Sequence, residues 1–383
     1  MGKVKNSVKG IIMSNQQSGV NLMAASKEWA NRPDDQRFQT LDALYEAVNN
    51  RRMRSTEKVA PIGKVTAEPD GNDIVLSTGI RKVNPSNWAF TQLAAAVRAP
   101  ADYLRRLPVN TAVQCLNDNI RVIETESYKF MTIVSEDGLG NNRLQAITGE
   151  HYGRIFDADV VQQARNIVTR TNGRFFNPKA YDRKTGTIAP AGLYASDRDV
   201  FMFLIDGGSF LDVGPRAQLN RGFFLYNSEV GRRVYGMTMF YHNGVCGNHI
   251  VWNASGITEL RIRHTSGGPG RFIQEAMPML LSYVNESAAP DTAVIRKAMD
   301  YLLPVTKEAD ILEWLTDQSK TNNAKLTKAE AKGAYEAAID EEGECRTLWN
   351  IVQGVTAHAR EKAFVDARIE LEQKVPRLMA LVQ

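Results

Sequence analysis

Between residues 127 and 265 the chain passes repeatedly through short stretches dense in β-branched and aromatic residues, each closed by a turn signal. "SYKFMTIV", "NRLQAIT", "AGLYAS", "RDVFMFLID", "GFFLYNSEV", "RRVYGMTMFYHN" and "ITELRIRHT" are all of this kind. Strands this close together, joined mainly by turns, demand a mixed and mostly antiparallel sheet as the core. One helical stretch interrupts them. It runs from Asp157, a candidate N-cap, to Thr171, and sets Val160, Val161, Ala164, Ile167 and Val168 facing inward.

The flanks read differently. Residues 1–35 are polar and aperiodic, and a short amphipathic helix follows from Phe38 to Val48, ending near Arg51, Arg52 and Arg54. Those arginines are expected to sit solvated at a helix C-terminus that their charge suits. Residues 58–80 read as a β-hairpin around Pro69-Asp70-Gly71-Asn72, and 87–107 as two short helices whose tight connection suits packing better than DNA reading. From about Pro269 the periodicity is helical. Thr327-x-x-Glu330 is a capping box, and Leu348, Ile351, Val352, Val355 and Ala359 form one apolar stripe. The expected architecture is α+β, with an arm and short helix over 1–57, a mixed sheet core over 58–268 and an all-helical unit over 269–383.

Three cysteines far apart, Cys115, Cys246 and Cys345, exclude a disulfide framework and fit a reducing compartment. The N-terminus lacks the apolar core of a signal peptide, and Met13-Ser14-Asn15 is a candidate natural start. A net charge of +4 decides nothing, so the distribution of charge matters more than its sum. Phosphate-binding P-loops, nucleophile elbows and zincin motifs are absent. Asp197, Asp199 and Asp206 read as turn residues at the two ends of one strand rather than as a magnesium site. No cofactor is called for, and nothing requires an enzyme.

The segment "YHNGVCGNHIVW" gathers His242, Cys246 and His249, with His264 further on. A zinc site usually takes four ligands from two knuckles, and only one cluster is present here. The favoured expectation is a strand end, an Asn243-Gly244 reversal and a return through a buried cysteine; a metal-dependent hydrolase is the minority reading.

Asn227-Ser228-Glu229-Val230-Gly231, then Val245-Cys246-Gly247-Asn248, then Arg261-Ile262-Arg263-His264-Thr265, follow one another through the strand region. Together with "QLAAAVRAPADYLRRLP" and "HYGRIFDADVVQQA" they resemble the phage- and plasmid-encoded family known as domain of unknown function 932. The likeness runs from about residue 85 to 285. It implies the biology of a mobile element in a bacterial cytoplasm and no particular reaction.

"RTNGRFFNPKAYDRK" interleaves Arg170, Arg174, Lys179, Arg183 and Lys184 with Phe175, Phe176 and Tyr181, and Asp182 is its single acid. That texture suits a loop gripping single strands. Arg261 and Arg263 on one strand face, with Arg232 and Arg233 nearby, would be a phosphate-contacting platform. The leading expectation is therefore a phage or plasmid nucleic-acid-binding protein that holds or anneals single-stranded DNA, with self-association as a further expectation. The acidic helical C-terminus motivates an alternative, a counter-defence factor acting on a host protein.

Overall fold

The computed structural model describes residues 37–77, 82–134, 142–177, 179–182, 187–190, 192–212, 218–243, 249–252, 260–287, 289–361, 371 and 374–382. Helix α1 (Leu41–Met53) starts where the Thr40 hydroxyl accepts from the Ala43 N–H at 3.1 Å, and it buries Leu44 and Val48. It runs through Arg51 and Arg52 to Met53, and Arg51 is turned inward.

The first sheet holds β1 (Ser55–Pro61), β2 (Thr66–Asp70), β3 (Asp73–Ser77), β4 (Lys82–Pro85), β5 (Ser127–Ile133) and β6 (Asn142–Gly149). Its order is β1-β5-β6-β4-β3-β2, antiparallel except for the β4–β6 pair. Only the second half of the expected 58–80 hairpin forms, as β2 and β3 around Gly71 at φ +60°. Pro61 cannot continue the ladder, the chain makes a 3-10 turn over Ile62–Lys64, and β1 pairs instead with β5. Helices α2 (Asn87–Ala96), α3 (Ala101–Leu104) and α4 (Val109–Val122) belong with this sheet. α4, an element not among those expected from the sequence, turns Ala112, Leu116 and Ile120 to the core at i, i+4, i+8 spacing. Ile62, Leu76, Leu93, Leu116 and Leu144 lie at the centre of that core.

Helix α5 (Asp157–Arg170) leads to the second sheet, with Phe156 rather than Asp157 in the N-cap position. The strands are β7 (Phe175–Phe176), β10 (Leu193–Ala195), β11 (Val200–Asp212), β12 (Gln218–Asn227), β13 (Tyr235–Asn243), β14 (His249–Trp252) and β15 (Leu260–Ile262). Their order is β10-β11-β12-β13-β14, with β7 on β11 and β15 on β13. Between β7 and β10, β8 (Lys179–Asp182) and β9 (Thr187–Pro190) pair with each other as a separate ribbon. Both faces of the second sheet are covered. Met202, Leu204, Phe223, Leu225, Met237 and Met239 pack with α5, and Phe201, Phe203, Phe224 and Phe240 form an aromatic layer. β11 runs through Asp206-Gly207-Gly208, with a register irregularity between Ile205 and Phe210, so Asp206 stands inside a strand and not at its end.

The helical unit begins at α6 (Gly268–Arg271) and passes through a π turn over Phe272–Ala276 into α7 (Met277–Asn285). Pro278 lacks an N–H to offer the preceding turn, which accounts for the wider turn before it. Then come α8 (Ala289–Asp300), α9 (Glu308–Thr316), α10 (Lys328–Glu342), α11 (Leu348–Glu361) and α12 (Val375–Met379). The capping box at Thr327 and Glu330 is formed, and the α11 stripe is fully buried. Leu211, Leu219 and Tyr241 of the second sheet share one core with these helices. No helix among the described residues is long and apolar enough to cross a membrane.

Candidate functional site

Segments far apart in sequence meet at the start of α5. Asp157, Asp199 and Glu229 are buried there together with the guanidinium groups of Arg154 and Arg233 and, on the rim, Arg51. Burying that many charges is tolerated only when each meets an opposite charge or a hydrogen bond. Arg51 reaches Asp157 at 2.6 Å and Glu229 at 2.7 Å. The Asp157 N–H donates to Glu229 Oε2 at 3.1 Å, and Asn227 Nδ2 donates to Asp157 Oδ1 at 2.7 Å and to the Ile155 carbonyl at 2.8 Å. Arg154 joins Glu57 to the Glu229 carbonyl, and Arg233 Nε sits 3.2 Å from Asp199 Oδ2.

The aromatic and amide side chains around this cluster tie it to both sheets. Tyr152 donates its hydroxyl to the Ser228 carbonyl at 3.1 Å and stacks on His264, ring centroids 5.0 Å apart. His264 is fixed by its backbone carbonyl, which accepts from Gly153 N–H at 3.1 Å. From α2, which packs on the first sheet, Trp88 Nε1 and Gln92 Nε2 both donate to the Val230 carbonyl, at 2.9 and 2.7 Å.

Burial sets the protonation of these groups. It pushes Asp157 well above the usual carboxylate range, and the charge of Glu229 pushes the same way. Burial also lowers His264 to about 4, so its ring is neutral at pH 7. For Arg51 burial acts to lower the pKa, but the Glu229 and Asp157 carboxylates outweigh it and hold the guanidinium above its ordinary value. Arg51 serves both Asp157 and Glu229, Arg154 serves Glu57 and Arg233 serves Asp199, so three guanidiniums hold four carboxyls in a paired joint rather than a set of free bases. Arg51 and Arg52 are not the solvated helix end that their position in the sequence suggests. In the structure Arg51 enters the joint, and Arg52 pairs with Asp159 while lying over the Phe156 ring. An acid in the first turn of α5 and a glutamate between Ser228 and Gly231 were the available signals.

The residues expected to bind nucleic acid do not form one surface. Arg170 is exposed on the last turn of α5 and Phe176 is 47% exposed. Phe175 is buried, and Arg174 is drawn inward: its Nε lies 2.6 Å from Asp206 Oδ1 and an Nη donates to the Val284 carbonyl at 3.2 Å. The described part of the expected loop is therefore largely strand. Phe175–Phe176 pairs with β11, and Lys179 and Tyr181 fall within β8. Arg183 and Lys184 lie outside the described residues. Arg232 is half-buried and Arg233 belongs to the joint, while Arg261 and Arg263 are exposed as expected. β7 lies beyond β11 and β15 beyond β13, so four strand spacings separate these two sets, roughly 19 Å.

The register likewise separates the histidines. Position 242 stands opposite 250 and position 243 opposite 249, which puts residues 242 and 249 on opposite faces of the sheet. Ile262 pairs opposite Tyr235, and the seven residues from there to position 242 span roughly 23 Å. Cys246 lies outside the described residues, which contain no group of three or more His, Cys, Asp or Glu side chains placed to hold a metal.

A family model described as domain of unknown function (DUF932) matches residues 148–382. The match starts later than the sequence likeness and takes in the whole helical unit, leaving out α2 and α3. It contains Tyr152, Arg154, Asp157, Asn227, Glu229 and His264, whereas Arg51, Trp88 and Gln92 reach the joint from outside it. No curated protein and no solved structure matches the chain.

Proposed function

We propose that this chain, which belongs to the DUF932 family, is a phage or plasmid protein of the bacterial cytoplasm that holds single-stranded nucleic acid during replication or recombination. The observation that carries the reading is the placement of the described parts of the basic–aromatic stretch, residues 170–177, 179–182 and 187–190. Its strands β8 and β9 pair with each other, and among the described residues with neither main sheet. At its base Phe176 is exposed and Arg170 makes no ion pair among the described residues. A ribbon and a ring presented this way suit a strand whose phosphates meet basic groups while its bases stack. Arg174, held by Asp206, positions the ribbon's base and is not a ligand in this reading.

The test is fluorescence anisotropy with a labelled oligothymidylate across a salt series. Binding that weakens steeply with salt is expected. The joint Arg170→Ala and Phe176→Ala change should weaken it by about tenfold, one cation and one stacking ring being removed. No binding of DNA or RNA at low salt would sink the proposal.

A further inference from the structure

We infer a second nucleic-acid contact at residues 98–106, on the helices of the first sheet, with Tyr103 stacking on an unpaired base and Arg98 and Arg106 meeting phosphates. This deepens the single-strand reading above and rests on it. The connection from α2 to α3 is closed by two backbone bonds, Arg98 N–H to the Ala95 carbonyl at 3.0 Å and Ala99 N–H to the Ala94 carbonyl at 2.8 Å. That geometry puts Arg98 at φ +58°, a left-handed position that glycine ordinarily takes. The chain does use glycine for the same purpose after α10, at Gly343 with φ +77°. At Arg98 a long cation occupies the strained position instead. Its side chain is exposed and makes no hydrogen bond or ion pair among the described residues. The nearby Tyr128 and Glu126 bond to each other at 2.9 Å.

Tyr103 is 53% exposed, and among the described residues its hydroxyl has no partner and its ring no aromatic neighbour. Arg106 is exposed and donates only its Nε, to the Asp102 carbonyl at 3.2 Å. Arg105 makes the contrast, because it is fully engaged. It pairs with Asp102 at 3.1 Å, donates to Thr91 at 2.7 Å and lies over the Phe90 ring, 5.1 Å from its centroid. It thereby pins α3 onto α2 and neutralises Asp102, the only acid in the segment. The result is a net positive edge with one exposed ring, the Arg98 guanidinium without a partner among the described residues, and the Arg106 guanidinium held only through its Nε. A ring with an open face takes a base only where that base is unpaired, which favours a single strand over a duplex.

Arg98→Gly separates binding from folding, since it removes the cation and relieves the left-handed strain together. The expected result is an unchanged or higher Tm, an oligothymidylate affinity about three- to tenfold lower, and a log–log salt slope smaller by about one. Tyr103→Ala should lose about fivefold or more, with Tyr103→Phe retaining affinity because the ring is what stacks. An oligonucleotide carrying 5-iodouracil should photocrosslink within the tryptic peptide 99–105. If the parent protein binds but these variants bind with unaltered affinity and slope, this contact is overturned and the proposed function stands. If the parent protein binds no oligonucleotide, both fail. Competition by polyglutamate as effective as by oligothymidylate would reduce the site to charge alone and overturn the stacking assignment.

Discussion

Arg170 and Arg174 lie four residues apart in one basic stretch, yet only Arg170 keeps its charge in solvent. Arg174 crosses Gly208, where an added Cβ would sit 2.6 Å from its Cδ, and ends on the buried Asp206. Arg221 is drawn in the same way, donating to the Glu286 carbonyl at 2.6 Å over the Tyr283 ring. Both arginines meet carbonyls at the C-terminal end of α7, where the helix dipole favours a cation. Near them the Asp291 carboxyl accepts the Tyr241 hydroxyl, and burial pushes its pKa up to about 6, with Arg221 opposing. Because the folded value lies above the ordinary 3.8, the stabilising contribution is complete below about pH 4 and is lost as pH rises through 6. Asp291→Asn is neutral throughout and still accepts from Tyr241. It should match the parent protein near pH 4 and exceed it at pH 7 by on the order of 1–2 kcal/mol once screening is allowed for. Urea midpoints at several pH values would show this, and a gap that does not widen with pH would refute it.

At the scale of elements, close approach decides more than propensity. Where α10 crosses α11, a Cβ on Gly354 would lie 2.0 Å from the Ala334 carbonyl oxygen and 2.8 Å from Ala338 Cβ. Backbone on the facing helix cannot yield as a side-chain tip can. Gly354→Ala should therefore destabilise by about 2–4 kcal/mol despite alanine's better helix propensity. Gly270 has nothing within 4 Å of the same position, and Gly270→Ala should be neutral or stabilising by up to about 1 kcal/mol. Thermal melts of the two variants make a matched pair, and equal shifts would contradict the crossing geometry. Edges are handled individually as well. Asn117 closes β2 by exchanging bonds of 2.8 and 2.9 Å with the Ala67 backbone, and the β10 edge is met by Arg37 and Phe38.

The whole molecule is held at the joint around Asp157, where the first sheet, the second sheet, α1 and α5 meet. Arg154→Ala empties a buried guanidinium site, leaves the buried Glu229 carbonyl without that donor and cuts the tie to Glu57 on β1. It should cost about 3–5 kcal/mol and separate the melting of the two sheets in calorimetry. A single unbroken transition at the parent Tm would count against this role for the joint. Much of the plan was legible beforehand: the strand runs, the α5 helix, the capping box at Thr327 and the α11 stripe are local patterns of spacing and burial. Those patterns carry the α+β class and the helical character of the chain after about residue 269. They did not reveal that β1 would leave its hairpin for β5, or that Arg51, Arg174 and Arg233 would turn inward to Asp157, Asp206 and Asp199. Nor did they reveal that the two expected nucleic-acid patches would lie on opposite edges of one sheet. Periodicity is a property of neighbours along the chain, so sequence alone determines which face an element buries. The choice of partner for a buried charge depends on desolvation and on groups up to 178 positions away, as from Arg51 to Glu229. Only the tertiary structure decides that.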